Sequence, residues 1–160
     1  MKENVMKDHQ LLFGLACAAA LVVAACGGDA ASSPPPAAAS QGAEPQSFAE
    51  QVTAGQDLYG KNCATCHGAS GEGTSQGPRV VGLDKGALPL DPPPTAKVRR
   101  TQFKTVADVA AFAVANMPAG RPGSLKEHEY WSILAFDLKA NGVTLDKKLD
   151  LEVAKATPLH

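Results

Sequence analysis

Apolar positions along the 160-residue chain fall into one continuous block and three helical stripes. The block is Leu11 to Val23 (LLFGLACAAALVV), behind the polar head MKENVMKDHQ. The first stripe runs from Phe48 to Cys66, with Val52, Gly55, Leu58 and Tyr59 on one face. The second runs from Thr105 to Ala115, where Val106, Val109, Ala110, Ala113 and Val114 follow i, i+3, i+4 spacing. Thr105 with Asp108 resembles a capping box at its start. The third begins at Ser124, paired with Glu127 as S-x-x-E, and ends near Ala140 before the stop signal Asn141-Gly142. Its apolar residues include Leu125, Trp131, Ile133, Leu134, Phe136 and Leu138. Between the first two stripes, Gly77-Pro78 and Asp91-Pro92-Pro93-Pro94 punctuate a stretch that cannot be regular structure. The alternation of a β-strand appears nowhere, so the pattern predicts an all-α fold.

Composition sharpens this. The chain is 44% hydrophobic, but 28 of those roughly 70 residues are alanine, which buries little surface, and only eight are aromatic. Such a chain is short of material for a core. A net charge of -1 argues against nucleic acid, because duplex binding needs a basic face to displace counterions. No apolar run of about 20 residues lies away from the N-terminus, so no interior membrane span is expected.

The Leu11–Val23 block behind a short polar head reads as a secretion signal, too short to span a bilayer. In the head, Lys2 and Lys7 are offset by Glu3 and Asp8; a start at Met6 rather than Met1 would give the shorter head MKDHQ. Val23-Ala24-Ala25-Cys26 resembles the bacterial lipoprotein cleavage box, in which the cysteine is acylated and becomes the mature N-terminus. Several acyl chains together anchor stably. The alternative is an ordinary secreted protein with an incidental Cys26. Gly27 to Ser47 holds almost only Gly, Ala, Ser and Pro and cannot repay its ordering entropy. It is expected to be a disordered leash with a reach of about 25 Å. The expected organisation is a signal at 1–25, an anchored cysteine and linker at 26–47, a folded domain at 48–142 and an extension at 143–160. Leu145, Leu149, Leu151 and Val153 of that extension either clip onto the domain or stay mobile.

The chemistry lies in Cys63-Ala64-Thr65-Cys66-His67, a C-x-x-C-H motif of the kind that attaches c-type haem. Two thiols separated by two residues on a helical turn can add across the porphyrin vinyl groups, and the adjacent histidine then faces the iron. A redox dithiol would sit in a βαβ context, yet no strand signal precedes Cys63. A zinc site would need two more ligands at ligand spacing. For a sixth iron ligand, Met117 is the one methionine past the signal, since the others are Met1 and Met6. It sits in Asn116-Met117-Pro118-Ala119-Gly120, where proline ends the helix and leaves the thioether on a defined loop. His128, in a polar helical turn, and the terminal His160 are poorer candidates.

These residues resemble class I c-type cytochromes over about Phe48 to Gly142. The resemblance rests on Gly55-x-x-x-Tyr59-x-x-x-Cys63-x-x-Cys66-His67-Gly68, then Gly77-Pro78-Arg79-Val80-x-Gly82-Leu83, then Met117-Pro118, then the aromatic last helix. It implies a small cytochrome c fold: three to five helices and Gly/Pro-rich loops wrapped around one covalent haem c. It implies a close helix crossing at Gly55, an aromatic pair of Tyr59 and Phe136, and a Pro78 carbonyl that accepts from Nδ1–H of His67. The Leu88 to Arg100 stretch has no counterpart in the family; it either offers cations to the haem edge or a partner, or is a solvated loop. The implied function is a lipid-anchored monohaem electron carrier on the periplasmic side of a bacterial membrane. It would exchange electrons with redox partner proteins and take no small-molecule substrate, so it would not be an enzyme. The alternative is a haem-bearing subunit of a periplasmic oxidase or dehydrogenase, since the N-M-P-A-G-x-P-G-S-L and A-F-x-L-K-A-N-G segments look similar to haem subunits of sulfur-oxidation complexes. A third reading, catalysis or gas sensing at the iron, needs an open sixth site.

Overall fold

Ser47 starts the first helix by accepting from Glu50 N at 3.2 Å through its hydroxyl, with Glu50 itself favoured in the first turn. A computed structural model describes residues 43–82, 90–92 and 94–159, which lie in one unit spanning Ala37–His160. The signal, Cys26 and the leash as far as residue 42 lie outside the described residues, as do 83–89, Pro93 and His160. The helices are α1 (Phe48–Asn62), α2 (Ala64–His67), α3 (Val106–Asn116), α4 (Glu127–Ala140) and α5 (Leu151–Ala156). Among the described residues there is no strand; one isolated antiparallel bridge joins Thr105 and Pro158. No helix among them is long and apolar enough to cross a membrane. The fold is the all-α one that the hydrophobic pattern predicts.

Two boundaries differ from the sequence expectation. The first helix does not run through to Cys66. Cys63 closes α1 by donating to Tyr59 O at 2.8 Å, and its own carbonyl then accepts from Cys66 N and His67 N at 3.0 and 2.9 Å. A fresh one-turn helix thereby carries the motif. The last large helix begins at Glu127, not Ser124, because Ser124 N is already held by Arg121 O in a turn. Lys126 takes the cap position, and Glu129 rather than Glu127 reaches back to the cap amide, at 2.7 Å. Glu127 accepts instead from Trp131 Nε1 at 3.3 Å. The capping box of α3 is as expected: Asp108 accepts from Thr105 N at 2.8 Å.

α1 packs against α4 more extensively than any other pair of helices. The crossing point is Gly55, where a Cβ would overlap the Ser132 carbonyl and stand 3.0 Å from Phe136 Cβ. One turn on, the rings of Tyr59 and Phe136 meet at 5.2 Å between centroids. The glycine is therefore required by close approach, which outweighs its cost of about 1 kcal/mol in a helix. Replacing it by alanine should overpack the crossing and destabilise the protein by about 3 kcal/mol, lowering the melting temperature by roughly 10 °C. A thermal melt of Gly55→Ala that superimposes on the parent's would refute this crossing.

The segment after Gly142 joins the core. Leu149 and Ala154 are fully buried against Phe48, Val106, Leu134 and Leu138, whereas Leu151 stays exposed. Gln51, itself buried, grips the Leu149 backbone twice: Nε2 donates to its carbonyl at 2.8 Å and Oε1 accepts from its amide at 2.7 Å. The chain end also hydrogen-bonds to the start of α3, with Val106 N donating to Thr157 O and Leu159 N to Lys104 O.

Candidate functional site

Two thiols and an imidazole are presented by α2 and its N-cap: Cys63 at the cap, Cys66 and His67 at the end of the turn. Cys63 and Cys66 are unpaired and half-buried, and His67 is buried. The His67 ring is fixed by a 2.7 Å contact between Nδ1 and Pro78 O. With Nδ1 as the donor, Nε2 is left as a lone-pair ligand. The Pro78 loop can come this close because of Gly77, where a Cβ would lie 2.7 Å from the Cys66 carbonyl. Thr74 Oγ1 donates to the same carbonyl at 2.6 Å, and Tyr59 donates to Gly68 O at 3.0 Å, so both sides of the motif are tied down.

Met117 stands at the C-cap of α3, with its amide donating to Ala113 O at 2.8 Å. Its carbonyl accepts from the Tyr130 hydroxyl at 2.6 Å, and Pro118 behind it is buried. His128 lies on the first turn of α4, near enough to act on the Glu44 carboxylate, which also pairs with Lys148. In the stretch before α3, Arg99 stacks 4.1 Å over the Phe103 ring and donates to Leu90 O at 3.0 Å.

The donor chemistry fits a covalently attached haem. Burial, with Asp137 and Cys66 nearby, pushes the Cys63 thiol up to about 12. Two thiols one helical turn apart, beside an imidazole whose Nε2 is free, are what porphyrin attachment and iron ligation require. Cys63 and Cys66 would hold the haem, and His67 would face the metal.

Three residues of this region carried no signal in the periodic pattern. Tyr130 has no place in the periodic stripe and Asn141 only that of a helix stop, yet both bond to loops of the site. Asp137 follows Phe136 on α4, with Oδ1 sealed from solvent and lacking a hydrogen-bond partner among the described residues. Burial pushes its carboxyl from the ordinary 3.8 up to about 8. The folded chain therefore keeps a proton that the unfolded chain releases above about pH 4, and stability falls as pH rises from there to about 8. Asp137→Asn should raise stability at pH 7.5 by up to about 5 kcal/mol, with little gain at pH 4. Denaturant midpoints at the two pH values measure this; an equal gain at both would exclude titration of Asp137 as the cause.

The comparisons with known proteins concern the chain and its fold. Residues 50–136 match the family model described as cytochrome c oxidase, cbb3-type, subunit III. A structure of the sulfane dehydrogenase SoxCD from Paracoccus pantotrophus is similar to 68% of this chain, with 31% identity and a TM-score of 0.51. The match covers 52% of that chain, so the present chain corresponds to about half its length. No curated protein matches the sequence. The fold, the C-x-x-C-H turn with its proline-held histidine, and the family match together make this chain a member of that cytochrome c family, a class I monohaem cytochrome that transfers electrons on a covalently attached haem c.

Proposed function

We propose that the chain is a lipid-anchored electron carrier on the periplasmic side of a bacterial membrane. In this reading Cys63 and Cys66 would form the haem thioethers, His67 and Met117 would ligate the iron, and Cys26 would be the acylated N-terminus. The observation that carries the ligand assignment is the 2.7 Å contact between His67 Nδ1 and Pro78 O. It orients the ring and raises the basicity of Nε2. Support for Met117 comes from its place on an irregular loop and from the Tyr130 bond to its carbonyl.

When bound, the haem supplies a one-electron Fe(II)/Fe(III) couple whose potential a Met/His pair raises. Two protein ligands keep small molecules off the metal, so this chain works with redox partner proteins and is not itself an enzyme. Residues 26–42, as a leash, would hold the domain at high local concentration near membrane partners, because Glu44 and Ser47 are already tied to the folded unit. Cys26→Ser is expected to move the protein from the membrane fraction to the soluble periplasmic fraction with its haem content unchanged. A variant that stays with the membrane contradicts the lipid anchor.

A second reading, a haem-bearing subunit of a periplasmic dehydrogenase complex, has one structural feature in its favour. An apolar groove of about 520 Å³ lies between α3, α4 and α5, lined in part by Ala111, Val114, Leu125, Trp131 and Leu151. Val114 and Leu151 are 44% and 47% exposed there. The similarity to a sulfane dehydrogenase points the same way. Stable copurification with a second chain would favour this reading over the free carrier.

A further inference from the structure

α4 and its C-cap reach the segment that carries Met117 and the loop whose Pro78 carbonyl holds His67. In its first turn Tyr130, 6% exposed, donates its hydroxyl to Met117 O at 2.6 Å. At its C-cap Asn141, 9% exposed, accepts from Gly82 N at 2.8 Å and donates to Val80 O at 3.2 Å. The same amide donates to Asp137 O at 2.7 Å, so it is fixed to its own helix. Val80 and Gly82 belong to the loop whose Pro78 carbonyl holds His67. That loop is also stitched to Gly71 O by Val80 N and Val81 N, at 2.9 and 3.0 Å. The two contacts of α4 are eleven residues apart, which is about 16 Å of rigid helix at 1.5 Å per residue. A buried hydrogen-bonding group stripped of its partner is costly, so neither contact is incidental.

We infer that Tyr130 and Asn141 are positioning residues that set the two axial bonds of the iron from opposite ends of one helix. Tyr130 fixes the Met117 segment; Asn141 fixes the Pro78 loop and, through it, the His67 ring. The inference rests on the proposed ligation by His67 and Met117. Its two halves have opposite electronic consequences. Freeing the Met117 segment weakens sulfur ligation, which favours the oxidised protein and admits outside ligands. Freeing the Pro78 loop weakens the bond to Nδ1–H, makes the imidazole less basic and favours the reduced protein.

The test compares the haem-loaded full chain with Tyr130→Phe and Asn141→Ala by redox titration and by imidazole binding to the oxidised form. Tyr130→Phe should shift the reduction equilibrium about fivefold toward the oxidised state and tighten imidazole binding by a similar factor, the worth of one hydrogen bond. Asn141→Ala should shift the equilibrium about fivefold toward the reduced state, with imidazole affinity as in the parent. Should Asn141→Ala fail to fold, Asn141→Ser, neutral and too short to span both loop contacts, replaces it; its shift should have the same sign. Shifts of one common sign, or a variant whose potential equals the parent's, would overturn the inference. Met117→Ala, measured alongside, separates the two ideas. If it keeps the parent's spectrum and imidazole affinity, the ligation fails and the inference with it. If it opens the iron while Tyr130→Phe matches the parent, only the positioning role fails.

Discussion

Replacing Cys63 and Cys66 together by serine is expected to yield a chain that carries no haem and has no cooperative melt. Serine hydroxyls do not form thioethers with the vinyl groups, so attachment is lost outright. The larger effect is on folding. Among the described residues the buried hydrophobic set includes three alanines, and its largest fully buried members are Tyr59 and Leu149. Two of the five helices have only four and six residues, lengths at which an isolated helix is marginal in water. A domain of this size buries a smaller share of its surface than a large one does. The haem, a large apolar disc, supplies the missing core, so its loss should remove the whole stability of about 5–15 kcal/mol. Haem staining after denaturing electrophoresis and a melt followed by circular dichroism check both halves. A double variant that melts cooperatively without haem would show that the protein core suffices.

Met117→Ala should have the second largest effect. In the proposed ligand set, removing the thioether would leave the iron without its sulfur donor. The reduced protein should then bind carbon monoxide at neutral pH, and the oxidised protein should lose the sulfur-to-iron charge-transfer band. The reduction equilibrium should move toward the oxidised form by tenfold or more, each tenfold being about 59 mV for one electron. An unchanged visible spectrum would shift the sixth position to another residue, with His128 the first to replace.

Much of this was legible in the sequence because the signals are local. The motif turn, the helical faces of α1, α3 and α4, and the Thr105–Asp108 box each lie within a window of one or two helical turns. The Gly55 crossing and the Tyr59–Phe136 pair were legible only through the family resemblance, because no periodicity says which helix a glycine will meet. Contacts between side chains and distant backbone left no such trace. Gln51 grips Leu149 from 98 residues away, and Asn141 reaches Val80 and Gly82 across about 60. The break at Cys63 was hidden because good helical spacing runs through it on both sides. The six-residue α5 escaped notice although Asp150 caps it by accepting from Val153 N at 2.9 Å. Asp137 stands one residue beyond Phe136, where the helical pattern allows either face; packing against α1 alone decides that its carboxyl is sealed in.

The central claim is that one haem, held by Cys63 and Cys66 and ligated on both sides by protein, carries single electrons. A visible spectroelectrochemical titration of the purified full chain, at neutral pH under carbon monoxide, tests it most directly. The predicted result is a single one-electron wave with a low-spin c-type spectrum that carbon monoxide leaves unchanged. A carbon monoxide adduct of the reduced protein, or haem that extracts into acid-acetone instead of staying with the chain, would contradict it.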